Sequence, residues 1–546
     1  MALLPFAIAG ATALSGVIYL VVVSVYRLYF HPLAKYPGPW LAKVTSLYAA
    51  YLSYTGEIHL EMWRAHEKYG DVVRFGPNRV LFRTSTALKD IYGFGQNIRK
   101  AAAYHQFPTK FAYSTHNAVD KNMHRRKRKL VNQAFTKNAL KIWETSHLQQ
   151  IRIMCNELIQ PSSTPSLSEK QGWSSPKKMS DYGKLFTEVW TTHYRWKRAL
   201  DSLVYFAALY LMSDIVSDAV FGTPFRTLTE ETNRHVLHLV HKSYEWIGII
   251  FQSPTISKLG LDGYLIPQLA RARQTLRDDF RVLMRDRINS KPEKRDIFSI
   301  YSEYVDEETG ESFPLSEITS ESLLLFGAGP DATSTSLTAA FFYLARNKDA
   351  YNKVVAEVLS TFTDMEEIVG GPKLSSCQYL RACIDEALRM NPVNGGALWR
   401  EVVSGGATID DHFIPAGTDV GVAIYSIHHQ ADYYPDPFTY RPERWITSAE
   451  TGVTPAAVDV ARKAWCPFSI GPRGCVGKSL ALTLLHISLA RVLFLYEMQL
   501  PKDEQLARVG EGIPGLPFPR NLTGELQSKG TFSSIVHGPM LEFRRR

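Results

Sequence analysis

Pro467-Phe468-Ser469-Ile470-Gly471-Pro472-Arg473-Gly474-Cys475-Val476-Gly477-Lys478-Ser479 is the stretch on which the fold of this chain turns. It sets Phe468, Gly471, Arg473, Cys475 and Gly477 at fixed spacing ahead of an apolar run, LALTLLHISLARVLFLY. Glycines at 471, 474 and 477 predict a loop that takes positive φ angles and runs close to a flat ligand. The apolar run predicts a helix over Val476–Tyr496, which puts Cys475 at a helix amino terminus. Backbone N–H groups and the helix dipole there favour thiolate over thiol.

A thiolate so placed, with Arg473 two residues before it, suits an axial ligand to haem iron beside a propionate. Phe468 would shield the sulfur. The other four cysteines (Cys155, Cys377, Cys383, Cys466) are too few and too scattered for a disulfide scaffold, so a reducing compartment fits best. The loop resembles the haem-binding motif of the cytochrome P450 family, and the resemblance runs from the amino-terminal apolar segment to the carboxyl terminus.

Three further segments follow in the family's order. Glu386-Ala387-Leu388-Arg389 resembles its Glu-x-x-Arg helix, and Arg441-Pro442-Glu443-Arg444-Trp445 its Pro-Glu-Arg segment. Glu386 and Arg389 lie three apart on one helix face, and Arg444 would complete a structural triad with them. In Met123–Lys129 (MHRRKRK), His124 and Arg128 share a helix face and stand where the family carries a Trp-x-x-x-Arg pair on the haem propionates. Arg125, Arg126 and Lys129 would point outward as a docking patch for an acidic reductase surface. Arg400 resembles the remaining propionate arginine. A nucleic-acid role for the basic run does not suit a membrane-anchored haem protein.

The oxygen-activating helix, predicted over Glu317–Asn347, departs from the family. Ala328-Gly329-Pro330-Asp331-Ala332-Thr333 resembles Ala-Gly-x-Asp-Thr-Thr, with Ala332 in place of the usual threonine. Small residues there would leave room over the haem, and Pro330 removes the helix bond to Phe326. Asp331 can relay protons, with Thr333, an ordered water or a substrate hydroxyl in place of the missing alcohol. Ala332 also leaves room for a haem-thiolate isomerase or dehydratase, or for a catalytically silent ligand carrier.

The resemblance implies a mainly α fold with small β-sheets, the triangular haem-thiolate helical fold, behind an amino-terminal transmembrane helix. Residues 1–30 read as that anchor: no charge falls between Ala2 and Tyr26, and Phe6–Tyr26 is long enough to cross a bilayer. A cleaved signal peptide would carry basic residues ahead of a shorter apolar run. The basic flank from Arg27 places the body in the cytosol, and the sequon at Asn521 would then stay bare. Residues 31–40 (with Tyr36-Pro37-Gly38-Pro39-Trp40) form a proline-rich hinge, and residues 41–546 the catalytic haem domain.

Asp71–Phe82 predicts strand-turn-strand, and Leu200–Phe221 and Leu269–Ile288 predict helices. Pro161–Lys178 reads as a solvated loop, and residues 161–201 either as an insertion or as sequence retained by a gene-model error. The pocket implied by the family draws on Ala101–His116, Val393–Leu398 and a hairpin near Thr531–Val536. Gly395 and Gly396 imply room there, and His105 and Asn394 polar anchors. His428 and His429 would point apart on a strand and hold no metal.

The net charge is 62 − 53 = +9, suited to an acidic partner or membrane surface. The chain carries no dinucleotide fingerprint, so electrons would come through a separate protein. The implied function is a monooxygenase of the endoplasmic reticulum membrane with haem b. It would use dioxygen and NADPH electrons delivered by NADPH-cytochrome P450 reductase, with cytochrome b5 as a further donor. Its substrate would be a lipophilic small molecule, in the manner of fungal secondary-metabolism enzymes.

Overall fold

The computed structural model describes residues 3–107, 112–159, 172–174, 203–290, 295–305 and 310–546. An apolar helix, Leu3–Val25, runs into a π turn at Tyr26–Phe30, and the window Ala11–Phe30 is unburied and long enough to cross a membrane. The residues after it do not dangle. Leu33 and Tyr36 are buried, and a Cβ on Gly38 would lie 2.2 Å from the carbonyl oxygen of Arg74. Arg74, itself fully buried, donates to the carbonyls of Arg27 and Pro77, each at 2.7 Å, and its own N–H bonds the Pro37 carbonyl.

The core is built around the helix Leu315–Arg346, whose Leu337, Ala339, Ala340 and Phe342 have no exposed surface. Leu203–Phe221 lies along it, and Gln378–Met390 and Lys478–Leu495 pack against it. Lys478–Leu495 is apolar enough to span a bilayer, but most of it is buried in the protein, as expected of a core helix. Arg234–Gln252 and Pro267–Asn289 pack on each other, and the first meets the central helix through His241 and Tyr244.

The predicted strand-turn-strand forms as β1 (Val72–Gly76) and β2 (Arg79–Phe82). The remaining strands are β3 (Ile98–Lys100), β4 (Arg400–Val402), β5 (Ala407–Ile409), β6 (His412–Ile414), β7 (Asp419–Val422) and β8 (Tyr496–Gln499). The last three are β9 (Ser528–Gly530), β10 (Ser534–Val536) and β11 (Glu542–Arg545). Five strands make one sheet in the order β1-β2-β7-β4-β3, with β2 and β7 parallel, Val80 opposite Val420. β9 and β10 form the expected late hairpin.

Two expectations are corrected here. Trp173 and Ser174 lie inside the stretch read as a solvated loop, yet Ser174 is buried and exchanges hydrogen bonds with Phe543 on β11, at 2.7 and 3.0 Å. Arg544 stacks over Trp173 at 4.5 Å, so aromatic contact outweighs the local Ser/Pro composition. The rest of 161–201 lies outside the described residues. His428 stands on a short helix, Ile424–His428, not a strand.

Candidate functional site

Cys475 lies two residues ahead of Gly477, the cap of Lys478–Leu495. The loop closes on itself: the Cys475 N–H donates to the Phe468 carbonyl at 2.9 Å. Of its three glycines only Gly471 takes a positive φ, +70°, and a Cβ there would lie 1.9 Å from the Tyr92 carbonyl oxygen. Its smallness therefore serves a protein contact. Ser469, at φ +54°, supplies the second left-handed bend, which nothing in its residue type announces.

Cys475 alone of the five cysteines keeps exposed surface. Enough protein surrounds the sulfur that desolvation still pushes the thiol above its ordinary pKa, against the expected direction. The backbone N–H groups of Gly477 and Lys478 and the charge of Arg128 pull the other way. Burial alone pushes Cys466 up to about 12, and Cys155 also stands at about 12. Arg128, from the helix Lys121–Ala134, donates to the Gly474 carbonyl at 2.6 Å and to Asn132 at 2.8 Å, and so grips the loop beside Cys475.

A group of cations converges near this loop. Arg473 donates to the carbonyls of Ala118 (2.5 Å) and Val119 (3.2 Å). Arg400, buried, donates to the Leu398 carbonyl (3.0 Å) and the Tyr104 hydroxyl (3.4 Å) and lies over the Tyr92 ring. Burial, with Arg473 and Lys100 beside it, pushes His124 down to about 3; burial and Arg400 push Arg473 down to about 10. Lys100 on β3, missed in the sequence, is held well below its usual range by burial and then by Arg400 and Arg473. Its ammonium donates to the His116 carbonyl. Mutually repelling cations around one point are the chemistry a pair of carboxylates would relieve, so this donor set fits haem propionates beside a cysteine sulfur.

The expected triad is brought together. Arg389 makes a two-pronged contact with Glu386, both bonds 2.9 Å, and Arg444 donates to the same carboxylate at 2.8 Å. Trp445 adds a bond at 3.0 Å, and Arg389 reaches on to the carbonyls of His428 and Pro437. All three triad residues are buried, and the pairing makes Glu386 more acidic than usual despite its burial. His428 extends this region: its Nε2 accepts the Cys466 N–H at 3.0 Å.

The basic helix differs from expectation at one position. Arg125 and Lys129 are exposed, but Arg126 turns inward, bonding Glu317 through both carboxylate oxygens at 3.1 Å and stacking over Phe313. Lys127 is buried, with Glu317 at 2.6 Å and Glu321 at 3.6 Å.

In the central helix, Gly329 answers a neighbouring helix: a Cβ there would stand 2.9 Å from Val216. The helix runs unbroken through Pro330, and the Tyr244 hydroxyl donates to the adjacent Gly327 carbonyl. Asp331 is buried, with His241 Nε2 2.8 Å from Oδ1 and the Ser533 hydroxyl donating to Oδ2. Thr333 is buried, and Ser336 bonds the Ala332 carbonyl at 2.8 Å.

The glycines expected to leave room beside the haem instead face the helix Ile58–Tyr69. A Cβ on Gly395 would meet His59 at 3.0 Å, and one on Gly396 lies 3.9 Å from Met62. His105 is exposed and bonds Tyr113, and Asn394 bonds the Phe532 carbonyl. No metal-binding cluster of His, Cys, Asp and Glu occurs among the described residues.

With this geometry in place, residues 37–516 match the sequence profile of the cytochrome P450 family. The chain belongs to that family. It is 35% identical to cytochrome P450 monooxygenase AKT7 of Alternaria alternata, over 96% of this chain and 95% of that protein. It is 36% identical to cytochrome P450 monooxygenase apf7 of Gibberella fujikuroi, with 96% of each chain covered. Among solved structures, the cytochrome P450DA heme domain shares the fold, at TM-score 0.67 and 15% identity over 91% of this chain and 95% of that one. The protein is a haem-thiolate monooxygenase that takes reductase-supplied electrons and acts on a small molecule, and the isomerase, dehydratase and silent-carrier alternatives are not favoured.

Proposed function

We propose that the chain hydroxylates or oxidatively remodels a lipophilic small molecule in fungal secondary metabolism, with NADPH-cytochrome P450 reductase as electron donor and cytochrome b5 as a second one. The observation that carries the substrate class is an aromatic cluster in which two of the segments expected to line the pocket meet the helix Arg234–Gln252. Phe532, beside the late hairpin, packs on Phe107 at 5.4 Å and on Phe251 and His116 at 5.5 and 5.6 Å. Rings so grouped favour an apolar guest.

Cys475 would hold the haem iron through its sulfur, with Phe468 packed in the same loop and Gly471 and Gly477 shaping it. Arg473, Arg400 and His124 would hold the propionates, joined by Lys100, while Arg128 fixes the loop. The haem, once bound, supplies the oxygen-activating chemistry. Glu386, Arg389 and Arg444 keep the cysteine loop seated against the core. Asp331 holds the proton at its carboxylate and Ala332 and Thr333 line the helix beside it. Residues 1–30 anchor the protein in the endoplasmic reticulum membrane in a single pass, 31–40 join anchor to body, and 41–546 form the cytosolic haem domain. Arg125 and Lys129 serve the reductase.

Oxygen-18 labelling tests the reading. The chain is expressed with a reductase in a host fed candidate lipophilic metabolites under labelled dioxygen. A labelled product that Cys475→Ser abolishes is the expected result for hydroxylation, an unlabelled product that still requires NADPH marks oxidative remodelling, and one formed without NADPH would overturn the reading.

A further inference from the structure

Asp331 is the one acid placed on the central helix beside Ala332, and each of its oxygens is engaged by a different element. His241, from Arg234–Gln252, reaches Oδ1 at 2.8 Å, and Ser533, from the turn between β9 and β10, donates to Oδ2. Three of the helix's hydroxyls close to Asp331 are turned to backbone. Ser334 bonds the Asp331 carbonyl at 3.0 Å, Ser336 the Ala332 carbonyl at 2.8 Å, and Thr335 the Ser534 carbonyl at 3.4 Å. Hydroxyls that bond a carbonyl three or four residues back are withdrawn from other partners.

We infer that Ser533 and His241 are positioning residues for Asp331, and that Ser533 supplies from the carboxyl-terminal hairpin the hydroxyl that the helix lacks at Ala332. This rests on the proposed role of Asp331 as proton carrier. A serine hydroxyl accepts and donates at once, so it can take a proton at Oγ while releasing its own. At rest Ser533 donates to the carboxylate. When Asp331 carries a proton at Oδ2 the bond reverses, the acid donates to Ser533 Oγ, and the serine proton is passed on.

His241 stands on the outer side, its side chain 17% exposed against 2% for Asp331. A proton taken up at His241 Nδ1 while Nε2 gives its own to Asp331 Oδ1, carried to Oδ2 by a turn of the carboxyl group and matched by one leaving from Ser533 Oγ, leaves the group unchanged in charge. The surrounding charges are His238, Lys242 and Glu245 on the same helix and Lys529 and His537 on the facing hairpin, with the Tyr244 hydroxyl also near Asp331. Glu245 pairs with both lysines, at 3.2 and 3.4 Å.

Two measurements test this. The first is the ratio of hydrogen peroxide formed to NADPH consumed by the full chain with a reductase and no added substrate. Reduction of dioxygen to water consumes two more protons than reduction to peroxide. Ser533→Ala should therefore raise the ratio by about twofold or more, Ser533→Thr should hold it near wild type, and Ala332→Thr should restore it in the Ser533→Ala background. His241→Phe should raise it, and His241→Gln, which keeps a donor near Nε2, should raise it less.

The second is thermal unfolding of the resting protein in the cycle Asp331→Ala, Ser533→Ala and both together. The double variant should lose no more Tm than the worse single one. An unchanged ratio in Ser533→Ala, or additive Tm losses, would overturn the inference. The reduced carbon monoxide spectrum of each variant reports an intact cysteine-ligated haem. Its absence in the wild type would defeat the functional reading instead.

Discussion

Glu386 and Glu321 are both fully buried glutamates on core helices, and they are held in opposite ways. Glu386, behind the cysteine loop, meets two arginines and a tryptophan, and these outweigh its desolvation and lower its pKa. Glu321, on the central helix, has Lys127 at 3.6 Å and Thr115 through both its N–H (2.7 Å) and hydroxyl (2.9 Å), yet burial still pushes it up to about 7. The loop side is locked by matched charge. The central-helix side is under-compensated, and it is also where Ala332 departs from the family. A locked platform and a loosely balanced helix suit a protein whose metal side is fixed and whose substrate side must accommodate a particular guest.

The largest effect should come from the locked side. Cys475→Ser should abolish both the thiolate spectrum and product formation, and normal turnover in that variant would remove the ligand assignment. Glu386→Gln should follow, because it leaves two buried guanidinium groups without their anion. A loss of about 3–5 kcal/mol is expected, read as a fallen Tm and poor haem retention. If it unfolds no more easily than Glu321→Gln, the contrast drawn above is wrong.

Acidity sharpens the contrast further. Glu321 has its pKa raised from 4.5 to about 7, so its contribution to stability is complete below pH about 4.5 and lost as pH climbs through about 7. Glu386 runs the other way: its stabilisation is present above about 4.5 and lost as pH falls. Between pH about 5 and 7 the Tm of Glu321→Gln should rise relative to that of wild type. Glu525, also raised to about 7 by burial, keeps some slope in both. The smallest effect is that of Ala332→Thr, which should increase product per NADPH by less than about tenfold. Loss of product instead would mean that Ala332 makes room for the substrate.

The locked side was legible because its chemistry is local. Cys475 and Arg473 lie two residues apart, Glu386 and Arg389 share a helix face, and the spacing of each motif carries its geometry. What escaped was whatever depends on the packing of distant segments. Lys100 is one lysine in a three-residue strand, and only the sheet brings it toward Arg400. Ser533 meets Asp331 across 202 positions of chain, and His241 across 90. Gly395, Gly396 and Gly329 read in the sequence as room for a ligand, but a sequence cannot say whether a neighbouring helix or a ligand takes that room, and here His59, Met62 and Val216 stand there. Arg126 looked like its exposed neighbours until Glu317 came into reach.

The tie between Arg74 and the carbonyl of Arg27 bears on how this protein can be shortened. Cutting the chain before residue 31 to obtain a soluble form removes an acceptor for a fully buried guanidinium, and with it the Arg27 side chain that donates to the Val44 carbonyl at 2.6 Å. Such a cut should cost about 1–3 kcal/mol. One made ahead of Arg27 keeps both contacts, so a stable shortened form should begin inside the last turn of the amino-terminal apolar segment.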